Sequence, residues 1–375
     1  MMQRFPWTRR IVWVAVLVLS FVSGGWLMRP APSAEGGVYQ QARFFEDVVS
    51  AIHTHFIESM DEGDLYQRAA GALVGSLHDP YAELLLGESY REYRRQVSGV
   101  EVGLGPGKEG PTGPGVHVPA ANRGMMLEER VGYLVLSRMS RGAADELRAA
   151  VDRLVKEGMT SLILDLRSNP GGLIREGVAV AGLFLQPVDT VATSVGRSPE
   201  HSRVYLAGES GGWDSLRLAV LVDRGTASSA EVIAGALQDH DRAVIVGTPS
   251  YGKGVLQTTY PLGEDMAIRL TTARWFTPSG RTVQRLPLDT LSAQSFLIPP
   301  SRPWIFRTDG GRAIADAGGI VPDLVVWALP RLEKEDDGDW VEGRRQAKSD
   351  RQLQEALRLL RGARTQRDAI AAATQ

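Results

Sequence analysis

Between Val131 and Phe276 the chain alternates short apolar runs with amphipathic stretches, and this constrains its fold more than any other feature. Gly132 to Ser137, Ser161 to Arg167, Leu216 to Val222 and Ala243 to Gly247 are near-continuous apolar runs of strand length, as expected of strands covered on both faces. Ala143 to Glu157, a segment from about 174 to 185, and Ser229 to Asp239 carry helical periodicity between them. Strands separated by helices imply βαβ units around a mainly parallel sheet. Val255 to Tyr260 and Met266 to Phe276 read as a pair of strands.

The flanking regions differ. Phe44, Phe45, Val48, Val49, Ile52 and Phe56 recur at three- and four-residue steps, which predicts a buried helix face. A second helix over about 63–77 carries Ala70, Leu73, Val74 and Leu77, the turn His78-Asp79-Pro80-Tyr81 follows, and a third helix lies near 87–96. Residues 38–96 are thus a helical region, and 97–130 a linker rich in Gly and Pro. Residues 131–330 form the α/β domain, with 282–312 as an irregular insertion. The tail, 331–375, is helical from about 347 to 371, where Leu353, Ala356, Leu357, Leu360 and Ala363 make an apolar stripe. That stripe is expected to pack as an ordinary helix rather than to dock a partner.

The amino end reads as a targeting segment. Residues 1–10 are basic, with Arg4, Arg9 and Arg10, and Ile11 to Met28 carry no charge. Such a run reaches the roughly 17–25 residues that span a bilayer. Basic residues on its amino side predict a single-pass inner-membrane anchor, residues 29–37 as a linker, and the remainder in the periplasm or outside the cell. A signal peptide cleaved after Ser33 is the alternative and gives the same compartment.

Composition excludes several classes. A net charge of −2 offers no basic field for nucleic acid. With no cysteine there are no disulfides, thiolate metal sites or cysteine nucleophile. His53 and His55 are two residues apart and do not share a helix face, so no metal site is expected.

Two segments carry chemistry. Gly225-Thr226-Ala227-Ser228-Ser229-Ala230-Glu231 follows a buried strand and opens a helix, whose free N–H groups suit a developing oxyanion. The competing reading is that Thr226, Ser228 or Ser229 caps the helix, and on this segment alone it is the stronger. Ser250-Tyr251-Gly252-Lys253-Gly254 follows the next strand. A lysine drawn inward there loses its charge more readily and can take a proton from a serine, although a solvated turn lysine is commoner. Gly247 to Lys253 has the spacing of a phosphate-binding loop, but glycine follows the lysine and a strand follows the loop, so nucleotide is discounted. His240 would lie about 18 Å along the helix from its start, which argues against a Ser-His pair.

The run from Gly225 to Gln257 resembles the carboxyl-terminal processing, or tail-specific, proteases. Ser228 and Lys253 stand 25 positions apart and Gln257 four beyond, as in that family, and Leu164 to Gly172, Thr271 to Arg281 and Gly319 to Asp323 match it too. The resemblance implies a crotonase-like β-β-α catalytic domain with an N-terminal helical region and a C-terminal helix. It implies a serine endopeptidase with a Ser-Lys dyad that cuts polypeptides near C-termini or in unfolded segments through an acyl-enzyme. Ser228 is the nucleophile, Lys253 the general base and Gln257 its orienting partner. The oxyanion hole comes from the N–H of Ser229 and of a glycine in the Asn169–Gly172 turn, Gly172 in the first place. No metal or cofactor is implied; the partners are a polypeptide substrate, the membrane, and a homo-oligomer or adaptor left open. Two departures stand out: the linker at 97–130 is too short for the family's usual PDZ domain, and Ala-Ser-Ser-Ala-Glu replaces the commoner Ala-Ser-Ala-Ser-Glu. A catalytically silent scaffold, or an enzyme acting on a non-protein acyl group, is the alternative.

Overall fold

The computed structural model describes residues 35–98, 100–101, 116–117, 119–128, 130–285, 305–315, 318–327 and 349–374. The chain divides into two compact units, Met1–Ser76 and Leu77–Gln375.

The first unit holds helices α1 (Glu35–His55) and α2 (Glu62–Gly75). Asp61 caps α2 by accepting the Asp64 N–H at 3.1 Å. Val49, Leu65 and Val74 are buried, and the rings of Phe45 and Tyr66 meet at 5.9 Å. The expected buried face of α1 is otherwise exposed, with Phe44 at 70%, and Phe45, Val48, Ile52 and Phe56 also open. Two helices give each other one covered stripe, too narrow for a face this wide.

The second unit begins with β1 (Glu83–Leu86), α3 (Glu88–Ser98), β2 (Val100–Glu101), β3 (Val116–His117) and β4 (Met125–Glu128). Its centre comprises β5 (Val131–Val135), α4 (Ala143–Lys156), β6 (Ser161–Asp165), α5 (Ile174–Gly182), β7 (Thr190–Gly196), β8 (Arg203–Leu206), β9 (Arg217–Val222), α6 (Ser229–Asp239) and β10 (Val244–Gly247). Then follow β11 (Val255–Pro261), β12 (Met266–Phe276), β13 (Phe306–Arg307), β14 (Ala313–Ile314), β15 (Leu324–Val325), α7 (Arg351–Gly362) and α8 (Gln366–Ala373).

The main sheet runs β15-β10-β9-β6-β5-β4, parallel except for β4. Its central strands are apolar on both faces because both are covered. Leu162, Leu164, Leu218, Val220 and Ile245 face one core with α4, α5 and α6; Ile163, Ala219, Leu221, Val244 and Val246 face another with α7 and α8. Truncating one of these leucines to alanine costs about 2–5 kcal/mol. Leu353, Ala356, Leu357, Leu360 and Ala363 of the tail are buried in that second core.

A second sheet is built on β12. One edge pairs with β11, and the other takes β1 along 266–269 and β7 along 273–276 in tandem, with β8 beyond β7. The strands β1, β4 and β8 escape the sequence reading because they are only four residues long, and β7 because its seven residues mix polar with apolar side chains. Small antiparallel pairs join β2 to β3 and β13 to β14.

The placement of the protein as a single-pass inner-membrane protein is corrected. Among the described residues no helix is long and apolar enough to cross a membrane, and residues 11–28, expected to form the anchor, lie outside them. Residues 102–115 of the expected linker and 286–304 of the insertion also lie outside them. No cluster of three or more His, Asp or Glu able to hold a metal occurs among the described residues.

Candidate active site

Strands β6, β9 and β10 are adjacent and parallel, so the loops leaving their carboxyl ends lie side by side. In open α/β sheets this is where ligands bind.

The loop after β6 is organised by Asn169, which is fully buried. Its Nδ2 donates to the Leu136 carbonyl at 2.7 Å, its Oδ1 accepts the Gly171 N–H at 2.8 Å, and its carbonyl accepts the Ala227 N–H at 2.9 Å. Gly171 sits at φ 88°, and a Cβ there would stand 2.7 Å from the Ala227 carbonyl oxygen and 2.9 Å from the Ser228 Cβ. Only glycine allows that approach. The Gly171 N–H is therefore spent, whereas those of Gly172 and Ser229 donate to no protein group among the described residues.

In the loop after β9, the Asp223 Oδ1 accepts the N–H groups of Ser168, Gly225 and Thr226 at 2.8–3.1 Å. The Thr226 hydroxyl donates to the Leu166 carbonyl at 2.8 Å, and the buried Ser229 hydroxyl finds no partner among the described residues. Ser228 occupies the capping position of α6 at φ 55°, ψ −121°. The residues whose side chains cap α2, α7 and α8, namely Asp61, Asp350 and Thr365, are extended with negative φ, as caps ordinarily are. Such strain, about 1–3 kcal/mol, is found at sites where geometry serves function.

The loop after β10 brings in Lys253. Tyr251 N–H donates to the Thr226 carbonyl at 2.9 Å, and Trp275, 1% exposed, donates its indole N–H to the Lys253 carbonyl at 3.1 Å. Lys253 Nζ donates to Gln257 Oε1 at 2.7 Å. Burial, and after it the Arg269 guanidinium, push the Lys253 ammonium below the ordinary lysine range, against the pull of Glu83, Asp79 and Glu231.

One residue joins the two loops. Glu231, fully buried on α6, accepts the N–H groups of Ser228 and Lys253 on Oε2, each at 2.9 Å. On Oε1 it accepts the Gly252 N–H at 2.7 Å and the Ser250 hydroxyl at 2.5 Å. The Ile320 N–H donates to Ser250 Oγ, which leaves the hydroxyl proton free for the carboxylate. Burial raises the Glu231 pKa, and these hydrogen bonds oppose it.

Ser228, Lys253, Gln257, Gly172 and Ser229 thus lie on three neighbouring loops and the strand that follows. Glu231, Asn169, Tyr81 and Trp275 are missed as site residues by sequence reasoning. Glu231 could have been found, since Ser-x-x-Glu at the start of a helix is a capping-box pattern. Asn169 and Trp275 act through main-chain contacts that no motif announces. His240 is elsewhere: its ring bonds Asp309 at 2.6 Å and the Thr190 carbonyl at 2.8 Å.

Residues 130–289 match the model of peptidase family S41. A carboxy-terminal-processing protease of Bartonella bacilliformis is 40% identical over 162 residues, covering 42% of this chain and 37% of that protein. A carboxyl-terminal-processing protease of Synechocystis is 39% identical over 158 residues, covering 42% and 36%. The matched part of this chain thus spans little more than a third of either relative. A solved structure of a photosystem II D1 C-terminal processing protease superposes with a TM-score of 0.49 at 19% identity, covering 82% of this chain and 97% of that one.

Proposed function

We propose that this chain is a serine endopeptidase of family S41 that uses Ser228 and Lys253 as a catalytic dyad. The observation that carries the reading is the clamp of Glu231 Oε2 on the N–H groups of both residues. A buried carboxylate spent on holding a strained serine and a lysine together has no evident purpose in a fold that needs neither.

Ser228 Oγ forms a bond to the peptide carbonyl carbon as its proton passes to Lys253 Nζ. The oxyanion takes the free N–H groups of Ser229 and Gly172; one such donor is typically worth about a hundred- to a thousandfold in rate. The C–N bond breaks as Lys253 returns the proton to the leaving amine. Water then repeats the sequence on the acyl-enzyme, and Gln257 holds the amine throughout. A depressed lysine pKa supports the base role, since the neutral amine is the active form. The substrate is a polypeptide, cut near a C-terminus or in an unfolded segment.

Hydrolysis of casein by the full chain, beside Ser228→Ala and Lys253→Ala, tests this. Wild-type cleavage lost in both variants is expected. Cleavage that survives Ser228→Ala removes the assignment, and an inert wild type points to a scaffold or an adaptor-dependent enzyme.

A further inference from the structure

Tyr81 meets the lysine site in three ways. Its main-chain carbonyl accepts Gln257 Nε2 at 2.5 Å, and its ring faces Lys253 Nζ at 5.0 Å. Its hydroxyl lies beside Gln284, whose Oε1 accepts the Gly254 N–H at 2.9 Å. The turn that carries it is fixed: Asp79 Oδ1 accepts the Tyr81 N–H at 3.0 Å, Pro80 restricts the backbone, and β1 pairs with β12 directly afterwards.

These contacts decide which way the Gln257 amide faces. An amide has a donor end and an acceptor end, and its partners choose the orientation. The Tyr81 carbonyl can only accept, so Nε2 must turn to it and Oε1 to Lys253. A neutral amine has two N–H bonds and one lone pair. One N–H goes to Gln257 Oε1, and the face of the Tyr81 ring is a weak acceptor for the other. The lone pair is what remains.

Resting on the proposed dyad, we infer that Tyr81 is a positioning residue for the general base, fixing the Gln257 amide and orienting the lone pair of Lys253. The turn at 78–81 is then part of the catalytic apparatus, although it lies far from Ser228 in sequence. The charged groups around Lys253 are Arg269 on β12, Glu83 on β1, Asp79 on the turn and Glu231 on α6. None of them replaces the ring, which alone contributes a π face that also favours the ammonium.

The test compares wild type, Lys253→Ala, Tyr81→Leu and Tyr81→Phe in the full chain, with labelled casein, across pH, and with circular dichroism to check folding. Tyr81→Leu is expected to lower kcat by about ten- to a hundredfold, a fraction of what general-base catalysis supplies, with KM little changed. Loss of the π face should also move the acid limb of the rate profile to lower pH. Both variants keep the main-chain carbonyl; Tyr81→Phe also keeps the ring and should recover most of the lost kcat. A Lys253→Ala variant that stays active sinks the dyad itself. With Lys253→Ala inactive, a Tyr81→Leu enzyme that matches wild type in kcat and acid limb overturns the role of the Tyr81 ring while leaving the dyad standing. Should Tyr81→Leu not fold, Tyr81→Phe decides: a loss as deep as that of Lys253→Ala contradicts the assignment to ring and carbonyl.

Discussion

Glu231 Oε2 accepts the main-chain N–H of Lys253 at 2.9 Å, across 22 residues of sequence, while it holds the Ser228 N–H at the same distance. A carboxylate is the only side chain that presents two oxygens and no donor. All four partners of Glu231 are donors, so a carboxylate is what this position requires.

Glutamine at position 231 has nearly the same shape but turns an NH2 group towards two of those donors. Glu231→Gln should therefore lose stability as Glu231→Ala does, though with two rather than four donors orphaned. Two orphaned buried donors cost about 2–6 kcal/mol together, at about 1–3 kcal/mol each. Urea midpoints and casein hydrolysis check this: Glu231→Gln is expected to lose stability by that amount and Glu231→Ala, which orphans all four donors, at least as much, each with activity lower by about a hundredfold or more, the scale of a lost oxyanion donor. A Glu231→Gln protein as stable and active as wild type would show that the clamp is dispensable.

Gly171 tests the approach of the two loops. A methyl group there would stand 2.9 Å from the Ser228 Cβ, so either the serine or the turn must move. A misplacement of about 1 Å can cost about a hundredfold in rate. Gly208, also at positive φ but with open space around it, is the control for backbone strain alone. Gly171→Ala should lose that hundredfold in kcat. Gly208→Ala should lose only about 1–2 kcal/mol of stability. Equal effects in the two variants would reduce Gly171 to a backbone requirement.

The sequence makes much of this site legible, and the limits have physical causes. Apolar runs such as Ser161–Asp165 and Arg217–Val222 read correctly as strands because burial on both faces writes itself into consecutive residues. Thr190–Gly196 is shorter of apolar residues, and nothing local distinguishes it from a loop. The periodicity of α1 implies burial of Phe44, yet exposure depends on what packs against the helix, which periodicity cannot state. Ser228 and Lys253 are visible through their small neighbours and their spacing. Tyr81 acts through a carbonyl and a ring face, and neither has a sequence signature. The Thr277–Arg281 and Gly319–Asp323 segments become intelligible only in three dimensions: Arg281 anchors the carboxyl end of α6, Ile320 holds Ser250, and Asp323 accepts the Ile245 N–H at 2.8 Å.

Lys253 links both activity and stability to pH, and in the same sense. Its folded pKa lies below its ordinary value of 10.5. As a base it works when neutral, so kcat/KM should rise with pH and level off below that value. For stability, both folded and unfolded chains carry the proton below the folded pKa, and the fold then bears the full cost of a charge drawn from water. That cost fades as pH climbs from the folded to the unfolded pKa. Lys253→Met should accordingly melt a few degrees above wild type at neutral pH while being inactive. The difference should shrink towards the ordinary lysine value. A Lys253→Met protein that melts lower than wild type at pH 7 would mean that the contacts with Gln257 and Tyr81 outweigh burial.

Arg281 and Asp239 form a pair in which both side chains are 1% exposed, joined at 2.8 Å, with the same guanidinium nitrogen also on Gln238 Oε1 at 2.6 Å. The pair ties the turn after β12 to the last turn of α6, the helix whose first residue follows Ser228. Removing one member of a buried pair leaves the other charge uncompensated and costs about 3–5 kcal/mol. Arg281→Met should lower the urea midpoint by the equivalent amount. Arg281→Met with Asp239→Asn should recover part of the loss, because asparagine is neutral and its oxygen can still accept the Ser279 N–H now held by Asp239 at 2.9 Å. Since Glu231 fixes the other end of α6, the folded fraction of each variant should keep casein hydrolysis close to the wild-type rate. A single variant that is fully stable but inactive would instead mean that the position of Ser228 depends on both ends of its helix.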